Sequence, residues 1–194
     1  MDRLRFEQAV AAIDAANADD PDTLEWAGRT RPKELLHAEL MTAWVRRLDP
    51  QATEAQLLAA RAHHLRRWTL PRSDYADGRA GYLRWRRAAG RRHREEVAEL
   101  LAPLGYDAVE IARVQEIMAK QDRASDPQVQ VHEDALCLVF LQTQFSELAD
   151  RLGDDRTVDV VARTLAKMSP RGRREALELE LTARERALVA RAQG

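Results

Sequence analysis

The stretch from Val131 to Phe145, VHEDALCLVFLQTQF, decides the fold. Its apolar residues do not alternate as a half-buried strand would require. Asp134, Leu138, Leu141 and Phe145 recur at steps of three and four, the spacing of one helix face. The run predicts a central apolar helix over about Gln130 to Leu152. On either side, Ala, Leu, Arg and Glu dominate, all strong helix formers, and alternating runs of β-branched residues are absent. The chain therefore reads as all-α, with no significant sheet.

The remaining helices follow from their start and stop signals. The first covers about Leu4 to Ala18. The segment DDPDTLEWAGRTRP then reads as a loop, and Pro32 suits the first turn of a second helix ending near Leu48. Thr53 caps a third, to about Trp68. TLPRSDYADG is a long loop, and a fourth helix runs from about Arg79 towards Leu104, with a kink expected at Gly90. Asp107 caps a fifth, to about Gln121. Shorter helices follow Asp155, Ser169 and Thr182, and Thr182 with Glu185 has the capping-box spacing. The tail after Gly153 is more polar than the middle. The expected organisation is a helical domain over residues 1–152 with a C-terminal helical extension, 153–194, packed on it.

Hydrophobic residues make up 45% of the 194, enough for a substantial core. Charged residues make up 32%, but the formal net charge is −1, which argues against a general nucleic-acid binder. Cys137 is the single cysteine, so a disulfide framework within the chain is excluded, and its apolar neighbours indicate a buried thiol. The opening residues MDRLRFEQAV lack a signal-peptide pattern, and the apolar run from Ala135 to Leu141 is too short to span a bilayer. The expectation is a cytoplasmic protein without a membrane partner. Its oligomeric state stays open, a homo-oligomer included.

Helical spacing also aims polar side chains inward. His37 shares a face with Met41, Trp44 and Leu48. His64 shares one with Leu57, Leu65 and Trp68, which turns His63 about 100° away. His93 aligns with Val97, Leu100 and Leu104, and Asp134 lies on the central helix. An ionised carboxylate in an apolar core costs several kcal/mol unless it is paired or metal-bound. Three histidines and an aspartate from four helices make a metal site the economical account. Imidazole plus carboxylate without thiolate suits a divalent transition metal: Fe, Mn, Zn, Co or Ni.

The order His37, His64, Asp134, at separations of 27 and 70 residues, resembles the HD-domain phosphohydrolase superfamily over about residues 33–150. That family carries a histidine, a His-Asp pair and a distant aspartate on separate helices around a divalent metal. The resemblance implies an HD-like helical bundle with His37, His64 and Asp134 as ligands. The His-Asp doublet itself is missing, and HHLRR stands in its place. If His63 matches the family histidine, His64 replaces the aspartate. If His64 matches it, Leu65 does. Either way one carboxylate is lost, and His93 is the candidate replacement ligand. HHLRRW, RAGYLRWRR, GYD, RVQ and EDALCLVFL together resemble, over nearly the whole chain, an uncharacterised family of unknown function.

Beside these ligands lie Arg66 and Arg67, then Arg79, Tyr82 and Arg86 after the loop. Guanidinium groups next to a metal suit a phosphate ester, whose oxygens they bind bidentately, and Tyr82 or Trp85 offers a stacking face. Glu133 and Glu116 are the candidate proton acceptors. The expected activity is metal-dependent hydrolysis of a small phosphorylated metabolite or nucleotide. The alternative is a degenerate HD-like domain that binds a nucleotide or RNA without hydrolysis.

Overall fold

A computed structural model describes residues 2–193, and over them the protein is mostly helical, with one two-stranded hairpin. Helix α1 (Arg3–Ala18) starts at Asp2, whose carboxylate accepts the N–H groups of Leu4 and Arg5. It buries Phe6, Ala9, Ile13 and Ala16. The segment expected to be a loop forms strands β1 (Thr23–Trp26) and β2 (Arg29–Pro32), paired antiparallel with Trp26 opposite Arg29. Ala27 and Gly28 form a two-residue connection with φ of 50° and 74°, the positive values that match hairpin twist. The strands lack the β-branched alternation that announces a sheet; the turn makes this hairpin.

Helix α2 (Lys33–Leu48) has no side-chain cap from Pro32. Asp20 serves instead, accepting the N–H of Glu34 at 2.8 Å and fixing the entry of the helix. Helix α3 (Glu54–Arg61) opens with the Thr53–Gln56 capping box and stops well short of Trp68. Helix α4 (Gly78–Leu101) is followed by a 3-10 turn over Ala102–Leu104. It runs as a single helix through Gly90. Helix α5 (Ala108–Ala119) carries the Asp107–Glu110 capping box.

Helix α6 (Pro127–Thr143) is the centre of the molecule. Val129, His132, Glu133, Asp134, Ala135, Cys137, Leu138, Val139 and Leu141 are all buried, so it is covered on every side. The central helix ends at Gln144, and Phe145 starts α7 (Phe145–Leu152). Helices α8 (Asp154–Leu165), α9 (Pro170–Leu177) and α10 (Ala183–Gln193) complete the chain. Their Val161, Leu165, Ala176 and Leu188 join the same buried apolar cluster as Ile13, Met41, Leu58 and Leu138. Among the described residues, no helix is long and apolar enough to cross a membrane.

Asp134 ties the C-terminal helices to α6. Its carboxylate accepts the Ser169 N–H at 2.8 Å, the Ser169 hydroxyl at 2.5 Å and the Gln130 amide at 2.9 Å. Gly172, in the first turn of α9, lies so close that an added Cβ would stand 2.6 Å from the Asp134 Cγ. Gly172→Ala should therefore destabilise the protein by about 1–3 kcal/mol, the usual range for overpacking. Gly90→Ala is the contrast: its Cβ would come no nearer than 3.6 Å to any neighbour, and it regains helix propensity. Thermal unfolding should show a lower Tm for the first variant and an unchanged or higher Tm for the second.

Candidate functional site

All five histidines of the chain converge. His37 and His64 stack with ring centroids 4.1 Å apart. His63 lies 4.8 Å from His64 and 4.7 Å from His132. His93 completes the group, 5.9 Å from His64. Three helices and one turn supply them, so tertiary packing brings them together.

The turn is the least regular contributor. Helix α3 ends at Arg61, and the chain continues through tight turns to a 3-10 segment at Arg67–Thr69. Arg66 is left-handed, at φ 47° and ψ 39°, a conformation that costs about 1–2 kcal/mol for a residue with a Cβ. The side chain of Asn17, buried at the end of α1, holds it by accepting the Arg66 N–H at 3.0 Å. Because the helix has already ended, His63 is not carried away from His64, contrary to the helical expectation. His63, His64 and Arg67 all line the same cavity.

That cavity encloses about 810 Å³, within the range of small-molecule sites. A second cavity of about 50 Å³ lies beneath the hairpin and shares His37, His64, Arg67 and Gln144 with the first. Glu34 opens only to the small cavity and Glu133 only to the large one.

Two half-sites emerge. In the first, His64 Nδ1 donates to Glu34 Oε2 at 3.1 Å, while Arg67 donates to His64 Nε2 at 2.7 Å. A guanidinium only donates, so this arrangement fixes the His64 tautomer with its proton on Nδ1. His37 Nε2 is buried beside them with no hydrogen-bond partner. In the second, His132 Nε2 and His63 Nδ1 share a hydrogen bond of 2.9 Å, and Lys120 pairs with the buried Glu133 at 2.9 Å. Lys120 itself is left-handed, with φ 57°.

Burial sets the charge states. It pushes His37 and His132 down to about 3 and His93 down to about 4, with the Arg67 charge adding to the shift of His37 and His93 and the Lys120 charge to that of His132. His63 and His64 move the same way for the same first reason. At neutral pH these are neutral rings. Burial also raises Glu34 to about 7, against the pull of Arg67. Cys137, in the cavity wall, is pushed up to about 12 by burial, which makes it an unreactive thiol.

Glu34, His37 and His64 could hold a metal ion: one ligand atom from each lies within 4.8 Å of the others. The donors fit a divalent transition metal, being two neutral imidazoles and a carboxylate, with the partnerless His37 nitrogen among them.

His37, His64 and His93 are thus brought together. Asp134 is buried as expected, but its oxygens are taken by Ser169 and Gln130, and it does not join the histidines. Glu133, one residue earlier, faces the cavity in its stead. Glu116 lies at the surface, 3.3 Å from Arg113, away from the cavity. Arg67, Tyr82 and Arg86 line the cavity; Arg66 and Arg79 are exposed and do not. Sequence reasoning missed Glu34 and His132, and it turned His63 away from His64 by extending α3 too far. The Glu34–His37 spacing of three on one helix was the available signal for the first. For His132, it was the wholly buried character of α6.

The chain belongs to the family described as Domain of unknown function (DUF4202), whose model matches residues 7–189. No curated protein and no solved structure matches it.

The buried rings make stability depend on pH. Unfolded histidines take up protons near 6.5, whereas His37 and His132 stay neutral to about 3 and His93 to about 4. Between these limits the unfolded chain binds more protons, so stability falls as pH falls. Glu34 opposes this between 4.5 and about 7, but it is one group against five. Chelator-treated protein should show a lower urea midpoint at pH 5 than at pH 7.5. His132→Gln should flatten that difference.

Proposed function

We propose that the protein is a metal-dependent phosphohydrolase acting on a small phosphorylated metabolite or nucleotide, built on an HD-like helical arrangement. The observation that carries this reading is the junction of a metal-capable triad with a cationic cavity. Glu34, His37 and His64 stand at one wall, and Arg67, Arg86 and Lys120 line the space in front of them. A metal there would lower the pKa of a bound water and polarise a phosphoryl oxygen. The chain's own residues do the rest. Arg67 Cζ lies 4.8 Å from the centroid of the Trp85 ring, a contact that keeps its guanidinium at the cavity wall for phosphate oxygens. Glu133 presents a carboxylate to the cavity for proton transfer, and Lys120 holds that carboxylate in place. In the HD-like reading, Glu133 rather than Asp134 is the carboxylate that the central helix offers.

A second reading is a degenerate domain that binds a nucleotide or RNA without hydrolysis. Two observations favour it: Arg67 already bonds His64 Nε2, and Lys120 already pairs with Glu133.

Elemental analysis combined with turnover of a panel of phosphate monoesters and nucleotides separates the two. The hydrolase reading expects about one transition metal per chain, as for a mononuclear site. Glu34→Gln and His37→Ala should each lose metal and turnover together. Arg67→Ala should lower kcat/KM by roughly ten- to a hundredfold, with Lys rescuing only in part. Nucleotide retention with neither metal nor turnover would establish the binding domain instead.

A further inference from the structure

The formal net charge of −1 conceals a segregation. Residues 61–94 hold eleven arginines against two aspartates, while the rest of the chain holds twenty basic and thirty acidic side chains. Three of the eleven are paired: Arg61 with Asp14, Arg91 with Glu95 and Arg92 with Glu96. Along α4 the others divide by side. Arg79, Tyr82, Arg86, Gly90 and Arg94 recur at steps of three and four, so they form one row. Tyr82, Arg86, Gly90 and Arg94 line the cavity. Arg79 stands outside it, exposed, seven residues and about 10 Å along the helix from Arg86 on the same side. Arg84 also lacks a carboxylate partner among the described residues, but it lies about 140° round the helix from Arg79. What distinguishes the row is where it leads, from the exposed surface into the cavity.

An aromatic face is set among these cations. Tyr82 is 44% exposed, far more than a core ring would be. Its ring centroid lies 6.0 Å from that of Trp85. Arg86 Cζ is 5.8 Å from the Tyr82 centroid, and Arg67 Cζ is 4.8 Å from the Trp85 centroid. Arg67 in turn bonds His64 of the metal-capable triad. The path therefore runs from Arg79 at the surface, past an exposed ring, to the triad. Cations alternating with a stacking face match the alternation of phosphate and base in a single strand. An acidic peptide offers charge without bases to stack, and in a duplex the base faces are already stacked on one another. A membrane surface is flat and cannot follow the row inward.

We propose that the cavity and this row bind the phosphorylated end of a single-stranded nucleic acid, with the end phosphate at Arg67 and Arg86, a base on Tyr82 and a following phosphate at Arg79. This extends the phosphohydrolase reading from a free nucleotide to the end of a strand and rests on that reading for what becomes of the end phosphate. The binding itself requires neither metal nor turnover.

Titration calorimetry with chelator present, so that nothing turns over, tests it with thymidine monophosphate against end-phosphorylated oligothymidylates and oligouridylates of two to eight nucleotides. Affinity should rise at least roughly tenfold from the mononucleotide to the longer strands, the return on one base stack and one phosphate contact. Tyr82→Ala and Arg79→Ala should each weaken strand binding about fivefold or more. Arg79→Ala should also lower the log–log salt slope by about 0.7, one phosphate's share for a single strand, and leave the mononucleotide within about twofold. Arg84→Ala removes a cation from the other side and should leave strand binding within about twofold. All three substitutions are at exposed positions, so the fold survives them. A strand that binds no better than the mononucleotide would overturn the proposal. Equal losses in Arg79→Ala and Arg84→Ala would do the same, since they report bulk charge rather than a row. Oligoglutamate or duplex DNA of matching charge binding as tightly as the strand would assign the row to another partner and overturn it too. Strand binding in a protein that holds no metal and turns nothing over would sustain the proposal while removing the hydrolase reading. Hydrolysis of small monoesters with no preference for strands would do the reverse.

Discussion

One hydrogen bond organises the site: the Arg66 N–H donated to the side chain of Asn17. Helix α3 ends at Arg61, and without an anchor the following residues would be an ordinary surface loop. The Asn17 side chain, buried at the end of α1, fastens the backbone at its left-handed residue instead. Three cavity residues depend on that fixed turn, His63, His64 and Arg67. Left-handed backbone at a residue with a side chain persists where surrounding structure imposes it, and such places cluster at functional sites. Lys120, at the end of α5, repeats the pattern on the far side of the cavity.

Around this turn the chemistry is arranged in two similar halves, each with two histidines, a glutamate and a cation. His37, His64, Glu34 and Arg67 make one; His63, His132, Glu133 and Lys120 make the other. Close packing keeps the rings neutral, because charging several imidazoles within a few ångströms in a dry interior is costly. The protein thus carries a concentration of lone pairs inside an otherwise apolar bundle. Such an assembly is expensive for stability, and it is the kind of local expense that folds carry where a ligand repays it.

Much of this was legible in the sequence, for identifiable reasons. Helical spacing aimed His37, His64 and His93 inward, and the structure brings them together, because α2 and α4 are amphipathic over several turns and their buried faces follow from period alone. The same rule failed at His63, since it assumed that α3 continued to Trp68. The end of α3 at Arg61 and the left-handed turn at Arg66 that follows have no clear local signature. It failed differently on α6. Asp134 is inward, but on a helix buried on all sides inward no longer means one direction. Glu133, His132 and Asp134 are each covered, and only tertiary packing decides which of them meets the cavity. The hairpin escaped because its strands are polar and short, and its one cue, Ala27–Gly28, is weaker than the Asn-Gly or Asp-Gly that marks such turns.

The tie at Asp134 has a mechanical meaning. Glu133 and Asp134 are neighbours on α6, so their side chains leave the helix about 100° apart. One carries chemistry into the cavity, and the other is clamped by Ser169 against Gly172. The clamp fixes the roll of α6 about its own axis. A roll of a few degrees would swing Glu133 and His132 relative to the rings of the turn, and it would have to break the grip of Ser169 to do so. The C-terminal helices thus act as the set-screw of the central shaft: they supply none of the histidines, yet they hold the angle at which Glu133 and His132 are presented.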